Sequence, residues 1–357
     1  MSTGPAAPAA PARAQRSGVR PLRLGARTSP LARAQVDLVA ALLAERGVGS
    51  TFVGVTTRGD VDQRLLTEIG GTGIFAGAVR DALRTGEIDV AVHSLKDLPT
   101  QGDPDLEVVA VPAREDVRDV IVGRRLEDLV DGDAVGTGAP RRSLQLQEWA
   151  DRSGRRIDVL PVRGNVGTRL DLVRRGAVQA VVLAAAGLRR LGHLQSADDG
   201  SVWVRVEDHG ALSVAGAASI DLPAQLLPLD VMLPAPGQGA LALEVSRSLE
   251  PGLREVVRSL DDPRSHAEVL VERGFLARLE AGCTAPVGAH AIVKSVRGTS
   301  LDLTLAAVIG RTLLSNSQQP VHAGPALRVE VEGSSADPES FGATHADGVL
   351  EELQFHD

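Results

Sequence analysis

Short apolar runs and longer amphipathic stretches alternate along this chain, the pattern of strands followed by helices in an α/β protein. Leu22 to Leu24 predicts a short strand, Gly25 to Ser29 a loop, and the run from Pro30 to Leu43 a helix. Ser29 suits an N-cap and Pro30 the first helical position. Thr51 to Thr56 and Ile88 to Val92 predict two more strands, the latter carrying the loop His93 to Thr100 at its carboxyl end.

A second unit repeats this grammar. Asp119 to Val122, Ala134 to Gly136, Val159 to Val162 and Ala180 to Ala184 read as strands. Gly136 to Arg142 opens a helix running to about Trp149, Arg163 to Arg169 leads into another, and Ala186 to Gly192 follows the last strand. Residues 195 to 230 lose the regularity and read as an insertion or long loop. Pro234 to Gly239 reads as a linker or hinge. A third unit begins near Pro263, with a helix from His266 to Leu279, a loop around Cys283 and short alternating strands, before the chain fades into polar sequence.

Composition narrows the function. At 357 residues the chain is long enough for two or three domains, each with its own core. Aromatic residues make up 2% with no tyrosine, so the cores are built from Val, Leu, Ile and Ala. A net charge of -8 and the lack of stacking platforms argue against nucleic acid as a partner. No apolar run of about 18 residues or more predicts a membrane span. Residues 1–20, rich in Ala and Pro and without an acidic residue, read as a disordered tail rather than a signal peptide. One cysteine and no export signal make the cytoplasm the expected compartment.

The basic residues are almost all arginine, with only Lys96 and Lys294 as lysines. Arg27, Arg141, Arg142, Arg163 and Arg169 fall in loops after predicted strands, near helix N-termini, where backbone N–H groups and guanidinium forks favour anions. In an open α/β sheet such loops share one edge, so together they imply a ligand with many negative groups. Gly70 to Gly77 is glycine-rich but has neither the P-loop ending nor dinucleotide spacing, and reads as a flexible active-site loop containing Thr72 and Phe75. The histidines are scattered and the lone cysteine has no partner at ligand spacing, so no metal site is predicted. Cys283, between Gly282 and Pro286, reads either as a small buried hydrophobe or as a reactive, modifiable thiol. Asp97, beside Lys96, reads either as a turn residue before Pro99 or as a catalytic carboxylate.

Several motifs together resemble the porphobilinogen deaminase (hydroxymethylbilane synthase) family. They are Arg27 to Ala32, Thr57 to Asp60, Ala91 to Pro99, Arg163 to Leu170, Ala186 to Gly192, Pro236 to Ala240 and the Cys283 loop, in the family's order from about residue 22 to 290. The resemblance implies two periplasmic-binding-protein-like α/β domains around a cleft plus a smaller C-terminal α+β domain. It divides the chain into 21–116 with 238–260, 117–237, and 261–357. It implies an enzyme, expected as a monomer, that joins four porphobilinogen molecules head to tail with loss of ammonia and then releases the linear tetrapyrrole by hydrolysis.

The chain would grow on a dipyrromethane cofactor held by a thioether to Cys283. Asp97 would stabilise the cationic azafulvene and help move protons, while Arg27, Arg141, Arg142, Arg163, Arg169 and Arg190, assisted by Ser29, Ser94 and Lys96, would pair with the pyrrole carboxylates. Thr72 replaces a usual lysine, and Gly138 and Ala139 replace two usual serines before the paired arginines. The alternative from another class is a non-catalytic two-domain anion-binding protein, or an inactive paralogue.

Overall fold

The computed structural model describes residues 20–56, 76–207, 219–281, 285–310 and 326–354. Thr72, Phe75, Cys283, the Thr57 to Asp60 motif and residues 1–19 of the expected tail lie outside them. Arg20, assigned to that tail, instead belongs to the fold, reaching the buried Asp89 at 2.8 Å.

Among the described residues the strands form three sheets. In the first, β1 (Leu22–Arg27) lies parallel to both β2 (Ser50–Val55) and β3 (Val90–Ser94), and β4 (Leu106–Ala110) closes the far side. Strand β12 (Leu241–Ser246) returns late in the chain and inserts antiparallel between β3 and β4. Helix α1 (Pro30–Glu45) covers this sheet with Ala32, Val36, Val39 and Leu43, at helical spacing on one face. Ser29 caps it as the sequence predicts, its Oγ accepting from the Ala32 amide at 3.3 Å. Helices α2 (Gly77–Arg84) and, after β12, α6 (Pro251–Arg258) complete the unit.

The second sheet has the order β7-β6-β8-β5-β11-β10-β9. Its strands are β5 (Asp119–Val122), β6 (Ala134–Thr137), β7 (Asp158–Pro161), β8 (Ala180–Ala184), β9 (Leu194–Ser196), β10 (Val202–Glu207) and β11 (Ser219–Leu226). Helices α3 (Pro140–Arg152), α4 (Val166–Arg174) and α5 (Ala185–Arg190) follow β6, β7 and β8. Residues 208–218 of the segment 195–230 lie outside the described residues, and the rest is not the long loop that its composition suggests: β9, β10 and β11 widen the sheet antiparallel. Alternate residues Val204 and Val206 of β10 are buried, while Arg205 pairs across the strands with Asp221 at 2.9 Å. In β11, Pro223, Ser219 and Asp221 weaken the corresponding signal in the sequence.

The third sheet is an antiparallel meander of β13 (Val287–Arg297), β14 (Ser300–Ile309) and β15 (Leu327–Ser335), with α7 (Pro263–Arg278) and α8 (Pro338–Gln354) against it. Helix α8 occupies the stretch that reads as fading polar sequence; its Phe341, Ala346 and Val349 are buried in this core. A Cβ on Gly342 would lie 2.0 Å from the Val271 carbonyl oxygen, so α7 and α8 meet backbone to backbone. Two α/β units and a smaller α+β unit are present, as expected. Pro234 to Gly239, expected as a linker, does join the second sheet to the first, but it is largely buried rather than an exposed hinge.

Candidate functional site

The site begins where β1 and β3 end. Arg27, Ser29, Gln35, His93, Ser94 and Asp97 line one open pocket. Buried Gln35 donates from Nε2 to Ser94 Oγ at 2.7 Å, fixing a hydroxyl at the pocket wall. Beyond Ser94 the chain makes a single 3₁₀ turn over Leu95–Asp97. Leu95 and Leu98 anchor the turn in the core, which leaves Asp97 exposed at the mouth and Lys96 half-buried behind it. Arg273 of α7 clamps the turn from the third domain, donating to the carbonyls of Leu98 at 3.0 Å and Pro99 at 2.6 Å.

The second domain supplies the floor. Arg141 and Arg142 open α3 but are not the solvent-facing loop cations their sequence context suggests; they are 3% and 5% exposed. Both pair at 2.8 Å with Asp119, which is fully buried at the start of β5. These guanidiniums hold the Asp119 carboxyl well below the usual carboxylate range, against the cost of its burial. Arg142 also donates to the Val182 carbonyl, and Arg141 to that of Leu233. Two cations share one anion here, so the floor keeps a positive excess.

Arg163 and Arg169 flank the floor, half-buried. Burial, with Arg142 and Arg163 nearby, pushes Arg169 down to about 10, while Asp97 pulls the other way. Lys96 is pushed down to about 8 by burial and by Arg142 and Arg141, opposed by Asp97 and Asp119. These mutual influences bring Lys96 and Asp97 of the first domain together with Arg141, Arg142, Arg163 and Arg169 of the second. Arg190 sits apart, at the crossover, donating to the Gly239 carbonyl at 2.6 Å.

Sequence reasoning missed two groups, Asp119 and Gln238. Asp119 reads only as a strand position, and Gln238 as part of a linker; a polar residue beside glycines gives no sign that it will be buried. The departures near α3 also acquire a cause. A Cβ on Gly138 would stand 2.6 Å from the Val162 carbonyl oxygen, so the loop is drawn in where a serine would need room, and Ala139 gives α3 no side-chain cap.

A carboxylate-rich group fits these residues. Buried nitrogens of three arginines, Arg163 Nη2, Arg142 Nε and Arg190 Nε, have no hydrogen-bond partner among the described residues, and buried donors of this kind call for acceptors. The fold and the charge distribution define a protein of two α/β units with a cationic site between them that suits a polyanion.

Comparison with known proteins makes the class specific. The family model described as porphobilinogen deaminase, dipyromethane cofactor binding domain, matches residues 22–251, and that described as porphobilinogen deaminase, C-terminal domain, matches residues 266–347. The chain is 45% identical over 308 residues to porphobilinogen deaminase 1 of Streptomyces coelicolor, covering 85% of this chain and 88% of that protein. It is 42% identical over 339 residues to porphobilinogen deaminase of Leifsonia xyli, covering 93% and 89%. Among solved structures it is similar to a periplasmic substrate-binding protein of an ABC transporter from Coxiella burnetii, at 12% identity and a TM-score of 0.36, covering 70% of this chain and 94% of that one. The chain belongs to the porphobilinogen deaminase family, whose first domain model is that of dipyrromethane binding. The family match favours the tetrapyrrole reading over the non-catalytic alternative. No helix among the described residues is long and apolar enough to cross a membrane.

Proposed function

We propose that this chain is a hydroxymethylbilane synthase, condensing four porphobilinogen molecules with release of ammonia and freeing the linear product by hydrolysis. The observation that carries the reading is the pairing of an exposed carboxylate, Asp97, with a floor whose buried guanidiniums outnumber their carboxylate. Each pyrrole of substrate and product bears an acetate and a propionate, and the floor offers matching donors.

In this reading Arg163 and Arg169 take ligand carboxylates directly, Arg190 offers its Nε from the crossover, and Arg27, Ser29, Ser94 and Lys96 complete the first-domain side. Arg141 and Arg142, held by Asp119, contribute their charge from beneath, Arg142 with one nitrogen still to offer. Charge-assisted bonds of this kind contribute about 1.5–3 kcal/mol each. Asp97 stabilises the positive charge left on the substrate when ammonia departs, and helps to carry off the proton lost from the attacking pyrrole carbon. The dipyrromethane group, when bound, supplies the free pyrrole α-carbon from which the chain grows, and we assign its attachment to Cys283.

The domain division proposed with it is 21–116 with 238–260, 117–237 and 261–357, supported by the return of β12 to the first sheet. Intact mass of the purified protein tests the assignment. The wild type should exceed the mass calculated from the sequence by one dipyrromethane, and Cys283→Ser should lose the increment, because a serine hydroxyl is a far weaker nucleophile than a thiolate. An unmodified wild type that turns over porphobilinogen would refute it.

A further inference from the structure

We propose that Gln238, with Asp119 beneath it, is a positioning residue that ties the Lys96 ammonium of the first domain to the Arg141–Arg142 pair of the second and keeps that ammonium charged for anion binding. This rests on the site as read above. Gln238 is 1% exposed. Its Oε1 accepts from Lys96 Nζ at 3.3 Å, while its Nε2 donates at 2.8 Å both to Asp119 Oδ1 and to the Val117 carbonyl. The same Asp119 oxygen accepts from Arg142 at 2.8 Å.

The bridge needs a group that both accepts and donates, and the Gln238 amide does both. An ammonium donates and never accepts, and an ionised carboxylate accepts and never donates, so the residue between them must present an oxygen to one and an N–H to the other. These partners also fix which way the amide points. The backbone is held as firmly as the side chain. The Gln238 carbonyl accepts from Arg114 Nε at 2.9 Å, and Arg114 is itself clamped at 2.8 Å by Glu272 of α7, a residue that also accepts from the Gly237 amide. Gly239 has a φ of +86°, and a Cβ there would meet the Glu115 carbonyl oxygen at 2.4 Å, so the crossover is pressed against the strand connection that it passes.

The charges facing Lys96 are Asp97 on its own turn and Arg142, Arg141 and Asp119 from the second domain. The two guanidiniums and burial drive its proton off, and the two carboxylates retain it. Gln238 adds a neutral acceptor to the retaining side and holds Asp119 in place. Without it the balance tips toward the uncharged amine, which binds no carboxylate.

The chain has only two lysines, which makes a direct test available. The holoprotein is acetylated with acetic anhydride across a pH series, and modification at Lys96 and Lys294 is read by peptide mass spectrometry. Lys294, on the third-domain surface beside Glu332, serves as the internal reference. The wild-type Lys96 midpoint sets the baseline. Gln238→Met, close in volume but without the bridge, should lower it by about one unit, a tenfold loss of proton affinity. Gln238→Leu, which likewise lacks both the acceptor and the donor, should lower it by about as much, and the alkaline limb of kcat/KM for porphobilinogen should move with the midpoint in each variant. If Gln238→Met does not fold, Gln238→Leu decides alone. Midpoints unchanged in the folded variants would overturn the proposal. Midpoints that move in a protein whose wild type never consumes porphobilinogen would uphold the role of Gln238 and refute the proposed function instead.

Discussion

Replacing Asp119 by Asn tests whether the floor of the site is a buried charge cluster under tension. The carboxylate accepts from Arg142 and Gln238 through one oxygen and faces Arg141 at 2.8 Å through the other. Asparagine keeps the shape, but it loses the charge and turns an N–H₂ toward one of these donors. Two guanidiniums then lie buried with no counter-charge, and removing one partner of a buried ion pair costs about 3–5 kcal/mol. Both tryptophans, Trp149 in α3 and Trp203 in β10, belong to the second domain, so fluorescence during urea denaturation reports the unfolding of that domain. With a slope of about 2 kcal/mol per molar urea, the midpoint should drop by about 1.5–2.5 M. The pH dependence has a definite sign. The folded-state pKa of Asp119 is depressed, so its stabilisation is fully present above the unfolded value of about 3.9 and is lost as pH falls through that value toward the folded one. The gap between wild type and variant should thus be constant near neutrality and close in acid. A gap below about 1 kcal/mol at pH 7, or one that persists unchanged at pH 3, would refute the charge argument.

Two other changes probe the chemistry. Asp97→Asn should keep the fold, because Asp97 is exposed, yet slow ammonia release in single-turnover assays of holoprotein by roughly 10²–10³; Asp97→Glu should be milder, and wild-type rates in the Asn variant would make Asp97 a turn residue only. Arg163→Leu should lower kcat/KM for porphobilinogen, measured by steady-state kinetics, by roughly 10- to 150-fold through the loss of one charge-assisted partner, with Arg163→Lys recovering part of it because lysine lacks the fork; an unchanged kcat/KM in the Leu variant would remove Arg163 from the site.

Much of this architecture was legible from local signals. Ser29-Pro30 announces the start of α1, and Asp119 to Val122 and Ala180 to Ala184 read as strands with the bounds observed. The motif carrying Lys96 and Asp97 stands out because it follows the apolar run Val90 to Val92 of a strand. The antiparallel strands between 195 and 230 did not stand out, because the Gly, Ser, Asp and Pro residues around and within them read as loop, and what stabilises them is pairing with one another and, through β11, with β5 at a distance in sequence. Helix α8 was hidden for a similar reason: few of its residues are apolar, and they acquire meaning only when Phe341, Ala346 and Val349 meet α7 and the third sheet.

The sequence by itself determined the strand and helix grammar, the excess of arginine in loops after strands, and the family to which those motifs belong, because each is written in residues close together along the chain. Only the tertiary structure decided what the arginines do. Arg141, Arg142, Arg163 and Arg169 all follow strands near helix N-termini, yet folding pairs the first two with buried Asp119 and leaves a buried nitrogen of Arg163 without a hydrogen-bond partner among the described residues. It also decided that Gln238, 142 residues from Lys96, is the amide between them. A charge has no fixed meaning along a chain; its partners, and the water it loses on burial, are set by which distant segments come to lie against it.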